Sequence, residues 1–210
     1  VSLREYVGRM RENQKSIYYI TGQNQTSLRN SPLLEMYEKK DIEVLLLDDE
    51  IDEIIITSVP KYDEKDLKSV NRSGAADDFS DETDKEAEKS LKPVLKKIKK
   101  ILGEKVKDVK LSNRLSDSPS CIVADEHDPT AQMQELMRSM GQADMPQIKP
   151  ILEINPDHAI VKKLKDMTKK KSFDDISLLL YEQALIQEGV KLEDPSGFVE
   201  RLNSVIVETL

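Results

Sequence analysis

The sequence predicts a mixed protein in two parts, a small α/β layer followed by an α+β domain with a three-stranded sheet. Two continuous apolar runs, KSIYYITG and IEVLLLDD, are typical of buried parallel strands, and the segment between them has helical spacing. Three further strand-like runs then alternate with helices. A polar, acidic stretch near Ala76 separates the two patterns, so we predict domains at residues 1–76 and 77–210.

The first part has the pattern of a βαβ unit. A helix over Leu3–Met10 precedes the first strand, and a second helix over Ser27–Lys40 joins the two strands. This second helix is expected to turn five side chains inward, those of Leu28, Leu33, Leu34, Met36 and Tyr37. Strands joined in this way run parallel, with a right-handed crossover.

The second part alternates long helices with short strands. A helix is predicted from about Ser80 to Leu102, with one apolar inner face formed by Leu91, Val94, Leu95, Ile98 and Leu102. It precedes the runs VKDVKLS, SCIVAD and KPILEIN, which we predict to form the three-stranded sheet. Asn155 is expected to cap the next helix, and Ser172 to open another that ends at Gly189. The last helix is predicted to start at Pro195 behind Asp194.

Composition narrows the classes of function. The net charge of −8 argues against a general affinity for nucleic acid or for an anionic membrane, although the lysines of residues 96–110 could contact phosphate. No run approaches the roughly 20 apolar residues of a membrane span, and no signal-peptide pattern occurs. The single cysteine, Cys121, lies in an apolar run and is expected to be buried. These features favour a cytoplasmic protein.

Four of the seven methionines lie in the stretch TAQMQELMRSMGQADM. A helix from Pro129, with Asp128 as its N-cap, would form an apolar stripe from Met133, Leu136, Met137 and Met140. Such a stripe is most often ordinary core. A short methionine-lined helix followed by a loose glycine- and proline-containing tether is also suited to binding varied apolar partners. The residues alone leave both readings open.

The last two helices carry more apolar surface than one neighbour can cover. We predict that they pair with a second copy through residues 173–208, which gives a dimeric four-helix bundle. The predicted interface residues are Ile176, Leu179, Leu180, Leu185, Phe198, Leu202, Val205 and Ile206. The alternative is that both helices pack on the preceding strands of their own chain.

No catalytic constellation stands out. The chain lacks phosphate-binding glycine loops, nucleophile elbows, paired C-x-x-C motifs and histidines at metal-ligand spacing. The strongest enzymatic candidate is an acidic cluster after the second strand, where Asp48, Asp49 and Asp52 could hold magnesium for nucleotide binding or phosphoryl transfer. A solvated acidic turn is the simpler interpretation. We therefore predict no catalytic residue, no metal and no cofactor in this chain.

Four long stretches carry a resemblance to a known family. They are YVGRMRENQKSIYYITG, KDVKLSNRLSDSPSCIV, LEINPDHAIVKKL and LLLYEQALIQEGVKLEDPSGFVERLN. In this order they resemble the bacterial members of the ninety-kilodalton heat-shock chaperones. The resemblance implies that residues 1–76 are the end of the middle domain and residues 77–210 the C-terminal dimerisation domain. It also implies that the ATPase machinery, with its ATP and magnesium, lies upstream, so this fragment should not hydrolyse ATP.

The resemblance further implies two sets of residues that contact client proteins. One is the methionine stripe, on a helix that projects towards unfolded or partly folded clients in the family. The other is Glu53 with Ile54, where bacterial relatives can carry Trp in place of the isoleucine. The chain ends in VIVETL without the acidic tail of eukaryotic cytosolic members, so we expect no co-chaperone that docks on such a tail.

Overall fold

The computed structural model describes residues 1–79, 84–141, 148–167 and 170–209. Contacts divide the chain into two compact units. One comprises Val1–Ser80 with Val123–Ile148, and the other comprises Asp81–Ile122 with Lys149–Leu210. Residues 123–148 thus belong to the first unit, although the sequence pattern groups them with the second part. The domain boundary at Ala76 stays a prediction, because contact-defined units need not coincide with domains.

The described elements follow one another in this order: α1 (Leu3–Arg9), β1 (Ser16–Thr21), α2 (Gln25–Arg29), α3 (Glu35–Lys39), β2 (Val44–Leu47), α4 (Glu50–Ile55), β3 (Lys61–Tyr62), β4 (Lys65–Ser69), α5 (Asp84–Leu102), β5 (Asp108–Leu111), β6 (Ser120–Val123), α6 (Ala131–Ser139), β7 (Ile151–Ile154), α7 (Ala159–Asp166), α8 (Lys170–Gln187) and α9 (Pro195–Thr209). Short 3₁₀ helices lie at Pro32–Leu34, Ile56–Ser58, Ser73–Phe79 and Gly103–Lys105.

The first unit is organised around β1. Its sheet has the strand order β2-β1-β4-β3, and β1 pairs in parallel with both β2 and β4. All six residues of β1 are buried, as expected for an apolar strand flanked on both sides. The predicted parallel βαβ pairing is therefore confirmed. The short β3 adds an antiparallel edge that the sequence pattern does not indicate.

The helix predicted over Ser27–Lys40 is wrong as one element. The chain forms α2, a 3₁₀ turn and α3, with the break at Ser31 and Pro32. Proline lacks an N–H and disfavours a helical residue before it, which favours a break in the helix at this point. Ser31 caps the 3₁₀ turn by accepting a hydrogen bond from the Leu33 N–H. The five residues predicted to face inward are nevertheless all buried.

The 3₁₀ helix that ends at Phe79 is held against the first sheet by a shared carboxylate. Asp78 Oδ2 accepts hydrogen bonds from Tyr18 Oη at 2.8 Å, Lys68 Nζ at 2.8 Å and Ser16 Oγ at 3.3 Å. The Phe79 ring packs 5.5 Å from the Tyr18 ring, measured between centroids. Burial by itself would raise the pKa of Asp78, but the hydrogen bonds from Lys68 and Tyr18 hold it below its ordinary value.

The second unit is built on the predicted three-stranded sheet, with strand order β5-β7-β6. β5 and β7 are parallel, and Val109 lies opposite Leu152. Its core combines this sheet with α5, α7 and α8. The predicted inner face of α5 is confirmed, because Leu91, Leu95, Ile98 and Leu102 are buried and Val94 packs against them.

A buried ion pair lies beside this core. The Arg114 side chain is fully buried and donates from Nε to Glu153 Oε2 at 3.0 Å. Ser112 Oγ donates to the same carboxylate oxygen at 2.9 Å. Cys121 is buried, as predicted, with its Sγ 3.9 Å from Glu153 Oε2. A carboxylate that meets several donors can remain charged in a protein interior.

Two helix starts in the second unit differ from the prediction. His158, not Asn155, is the N-cap of α7, and its Nδ1 accepts from the Ile160 N–H. The Asn155 amide instead binds the carbonyl oxygens of Ser116 and Ser118 in the preceding loop. Local spacing cannot reveal partners that lie almost 40 residues away. Likewise, α8 already includes Lys170, so it does not begin at Ser172.

Replacing Asp78→Asn should destabilise the first unit at neutral pH by about 1–2 kcal/mol, because the hydrogen bonds to a charged acceptor are weakened. A lowered folded-state pKa contributes stability above the ordinary value of 3.8, and this contribution is lost as the pH falls through the folded-state pKa. The difference between parent and variant should therefore shrink in acid. Urea unfolding, followed by near-UV circular dichroism at pH 7 and pH 3, measures this difference in the free energy of unfolding.

Asp63→Asn is the matched control, since Asp63 is exposed and asparagine tolerates its positive φ of 48°. A variant at Asp78 that unfolds like the parent at pH 7 would contradict the clamping role of this carboxylate.

Candidate functional site

The methionine helix α6 contacts α4 within the first unit. This contact brings together the two segments that the resemblance marks as client-binding, which lie about 80 residues apart in sequence. Glu53 on α4 and Thr130, just before α6, form the polar link, because the Thr130 hydroxyl donates to Glu53 Oε1. The structure thus joins two patterns that the sequence could not connect.

The start of α6 differs from the predicted start. Its N-cap is Thr130 rather than Asp128, and the Thr130 hydroxyl accepts a hydrogen bond from the Met133 N–H at 3.1 Å. Threonine in extended conformation is a good N-cap, and the helical residues then begin at Ala131. The helix ends before Gly141, whose φ of 88° suits glycine.

The apolar stripe of α6 is not core. No residue of the helix is buried; Met133, Leu136 and Met137 are half-buried, and Met140 is 66% exposed. A stripe that belonged to a core would be covered along its length. The described structure therefore favours the reading of the stripe as a surface.

Helix α4 adds further exposed apolar side chains to the same unit. Ile54, which the resemblance marks, is 42% exposed, and its neighbours Ile51 and Ile55 are also exposed. Sequence reasoning missed Ile51 and Ile55. Their spacing of four residues on a short helix with an acidic first turn could have indicated them. We call the apolar residues of these two helices the α4–α6 surface; they are Ile51, Ile54, Ile55, Met133, Leu136, Met137 and Met140.

Glu53 does not lie on this surface. Its side chain is buried, and the residue is only 7% exposed, which argues against direct contact with a client in this conformation. One carboxylate oxygen accepts from Thr130, while Oε2 is buried and has no hydrogen-bond partner within the part of the chain that the structure describes. Burial, together with the nearby charge of Glu53, raises the pKa of Tyr19 in the neighbouring strand. Glu53 is therefore an internal group between α4 and α6.

The acidic cluster has a structural role at the start of α4. Asp49 is the N-cap, and its backbone N–H donates to Asp52 Oδ2 at 3.4 Å, in the manner of a capping box. Among the residues that the structure describes, no group of three or more histidine, cysteine, aspartate or glutamate side chains could hold a metal ion. The geometry gives the magnesium hypothesis for Asp48, Asp49 and Asp52 no support.

Helices α8 and α9 pack against each other through a largely buried ion pair. Arg201 Nε donates to Glu182 Oε2 at 3.2 Å, and a second guanidinium nitrogen contacts the other carboxylate oxygen. Ser172 Oγ donates to Glu208 Oε2 at 2.7 Å, which ties the start of α8 to the end of α9. These contacts set which face of α9 remains uncovered.

The predicted interface residues fall into three groups. Leu180 is buried in the core of its own unit, which argues against it as an interface residue. Five others are half-buried: Ile176, Leu179, Leu185, Phe198 and Val205. Leu202 and Ile206 are exposed, and so is Val199, which the prediction did not include in the interface. These three residues share one face of α9.

Among the described residues, no helix is both long enough and apolar enough to cross a membrane.

Comparison with known proteins identifies the family to which this chain belongs. The family model described as Hsp90 protein matches residues 1–210, so the chain belongs to the Hsp90 family. The chain is similar to the chaperone protein HtpG of Treponema denticola, with 53% identity over 209 residues, covering 98% of this chain and 33% of that protein.

Other bacterial relatives agree. Chaperone protein HtpG of Dechloromonas aromatica is 48% identical over 212 residues, covering 99% of this chain and 33% of the relative. Chaperone protein HtpG of Legionella pneumophila subsp. pneumophila is 46% identical over 211 residues, covering 100% of this chain and 34% of the relative. The chain thus spans about a third of the length of the curated relatives it matches. The predicted family resemblance is confirmed.

Mild peroxide treatment should oxidise Met140 well before Met36, because methionine oxidation follows solvent exposure. Met140 is 66% exposed, whereas Met36, a residue of α3, is buried. Met133 and Met137, which are half-buried, should react at intermediate rates. Peptide mass spectrometry over a time course measures the order, and equal rates for Met36 and Met140 would contradict the exposed position of the stripe.

Proposed function

We propose that this chain is the non-catalytic part of an Hsp90-family chaperone that binds client proteins through the α4–α6 surface and dimerises through α8 and α9. The observation that carries the client-binding role is the exposure of apolar side chains on two helices that contact each other. Their partners are unfolded or partly folded proteins, since these expose apolar segments of varied sequence.

The chemistry of the surface suits varied partners. Methionine side chains are flexible and polarisable, so Met133, Met137 and Met140 can adapt to apolar groups of different shape. The β-branched isoleucines of α4 supply firmer contacts on the same unit. Each apolar side chain that a client covers contributes roughly 1.5–3 kcal/mol, so a few contacts suffice for weak, reversible binding.

The dimerisation role is supported by the exposed face of α9. Val199, Leu202 and Ile206 lie on one side of the helix, while Arg201 on another side is engaged with α8. A second copy related by a two-fold axis would cover this face with the same face of its own α9. The result would be a four-helix bundle of α8 and α9 from each chain.

A dimer would give clients two linked surfaces. Once one α4–α6 surface holds a client, the second is present at a high effective concentration, so modest affinities combine. We further propose that ATP and magnesium act in other parts of the full-length protein and that this part holds no cofactor. The same relatives lead us to propose the cytoplasm as its location.

Replacing all four residues of the α6 stripe by serine should weaken the ability of the chain to suppress aggregation of a heat-denatured test protein by tenfold or more. Each substitution removes apolar area that a client would cover. Light scattering at increasing chaperone concentration measures the effect. Met140→Ser alone should produce a smaller loss, and because Met140 is the exposed C-cap residue, the fold of the unit should be preserved.

The matched control replaces Glu135 and Arg138 by serine on the polar side of the same helix. These residues form an exposed ion pair that contributes little stability. If the stripe variant remains folded and protects the test protein as well as the parent, the proposed client-binding role is wrong.

Leu202→Glu should raise the dimer dissociation constant by roughly a hundredfold or more, because each chain would bury a charge where an apolar side chain is expected. Adding Ile206→Glu should give a monomer throughout the accessible concentration range. Sedimentation equilibrium measures the dimer dissociation constant of both variants. Val207→Glu is the control, since this exposed residue is rotated by about 100° from Ile206 around the helix. A parent chain that is monomeric at all concentrations would refute the dimer.

A further inference from the structure

A single arginine holds the turn that leads into α6. Arg72 Nη1 donates to the backbone carbonyl oxygens of Asp125 at 3.1 Å, Glu126 at 2.7 Å and Asp128 at 2.6 Å. Hydrogen bonds from a charged donor are stronger than neutral ones, and the two N–H groups of this nitrogen, shared among three carbonyl oxygens, fix the shape of the turn. The turn ends two residues before Thr130, the N-cap of α6.

The backbone beside Arg72 fixes the register of the same segment. The Ala124 N–H donates to the Asn71 carbonyl at 2.8 Å, and the Ser73 N–H donates to the Ala124 carbonyl at 2.9 Å. Asn71 in turn is bound through its side chain to Thr21 at the end of β1. The segment therefore enters the turn from a fixed point at the end of the first sheet.

Glu53 provides a second anchor at Thr130, two residues after the turn that Arg72 holds. Thr130 is 3% exposed, and its hydroxyl both donates to Glu53 and accepts from the Met133 N–H. A hydroxyl has one hydrogen and free lone pairs, so it can make both bonds at once. The N-cap of α6 is thus also its polar link to α4.

Helix α6 depends on these anchors more than a longer helix would. It has nine residues, and isolated helices of fewer than about 12 residues are marginal in water. None of its residues is fully buried, so the helix lacks the support of side chains packed into a core. Both anchors act at its N-terminal end, before the stripe begins at Met133.

We propose that Arg72 and Glu53 are positioning residues for the α4–α6 surface. They fix the first turn of α6 against α4, so that the apolar residues of both helices are presented together as one binding surface. Neither residue needs to touch the client. The functional part of this inference rests on the client-binding role proposed above, whereas the structural part does not.

Amide hydrogen exchange on the whole chain tests the structural part. Arg72→Gln and Glu53→Ala should each speed the exchange of α6 amides by roughly tenfold to a hundredfold, the effect of losing hydrogen bonds to a charged group. The buried β1 amides should keep the rate of the parent, which shows that the first unit remains folded. Arg4→Gln and Glu50→Ala, at exposed positions of the same unit, are the matched controls and should change neither rate.

Conservative substitutions separate positioning from a general loss of stability. Thr130→Ser keeps the hydroxyl and should retain the slow exchange of α6, whereas Thr130→Val should lose it. Affinity for a reduced, carboxymethylated and permanently unfolded protein, measured by fluorescence anisotropy, should follow the same order. It should weaken by roughly threefold to tenfold in Arg72→Gln, Glu53→Ala and Thr130→Val, because a smaller fraction of the chain presents an ordered surface.

Two results would overturn the proposal. Unchanged α6 exchange in Arg72→Gln and Glu53→Ala, or a parent helix that already exchanges without protection, would show that these residues do not hold α6. Faster α6 exchange with unchanged affinity would show that the order of α6 does not govern client binding. Neither result would refute the client-binding role itself, which fails only if the serine variant of the stripe still protects clients.

Discussion

The pairing of residues 71–73 with Ala124 is the constraint on which the candidate site depends. It returns the chain to the first unit after about 50 residues, and it fixes the start of the segment that leads to α6. Closing so long a loop has an entropic cost that grows only slowly with loop length. The backbone hydrogen bonds and the three carbonyl contacts of Arg72 offset this cost locally.

The buried charged side chains of the two units differ in how fully they are hydrogen-bonded. In the second unit, the buried Arg114 and Glu153 pair with each other and with Ser112, so both charges are compensated. In the first unit, Glu53 meets one hydroxyl and leaves its second oxygen without a partner among the described residues. An incompletely satisfied buried carboxylate lowers stability.

The exposed apolar surfaces of the two units have different character. The α4–α6 surface combines methionines with isoleucines on two short helices, a composition suited to adaptable and weak contacts. The exposed face of α9 is aliphatic and regular, and α9 is anchored to α8 by the ion pair of Arg201 with Glu182 and by the hydrogen bond from Ser172 to Glu208. A rigid, regular face is suited to one partner of fixed shape, such as a second copy of the same chain.

The sequence by itself determined the parallel pairing of β1 with β2, the inner face of α5, the order of the second part and the family, because these follow from apolar periodicity and long local motifs. It also indicated the α6 stripe. The break at Ser31 and Pro32 has a local cause, the proline, which the prediction of one continuous helix did not take into account. Only the tertiary structure decided that α6 lies beside α4, that Glu53 is internal and that Leu180 belongs to the core. These outcomes depend on hydrogen bonds and packing between residues tens of positions apart, and local sequence patterns do not predict such partners.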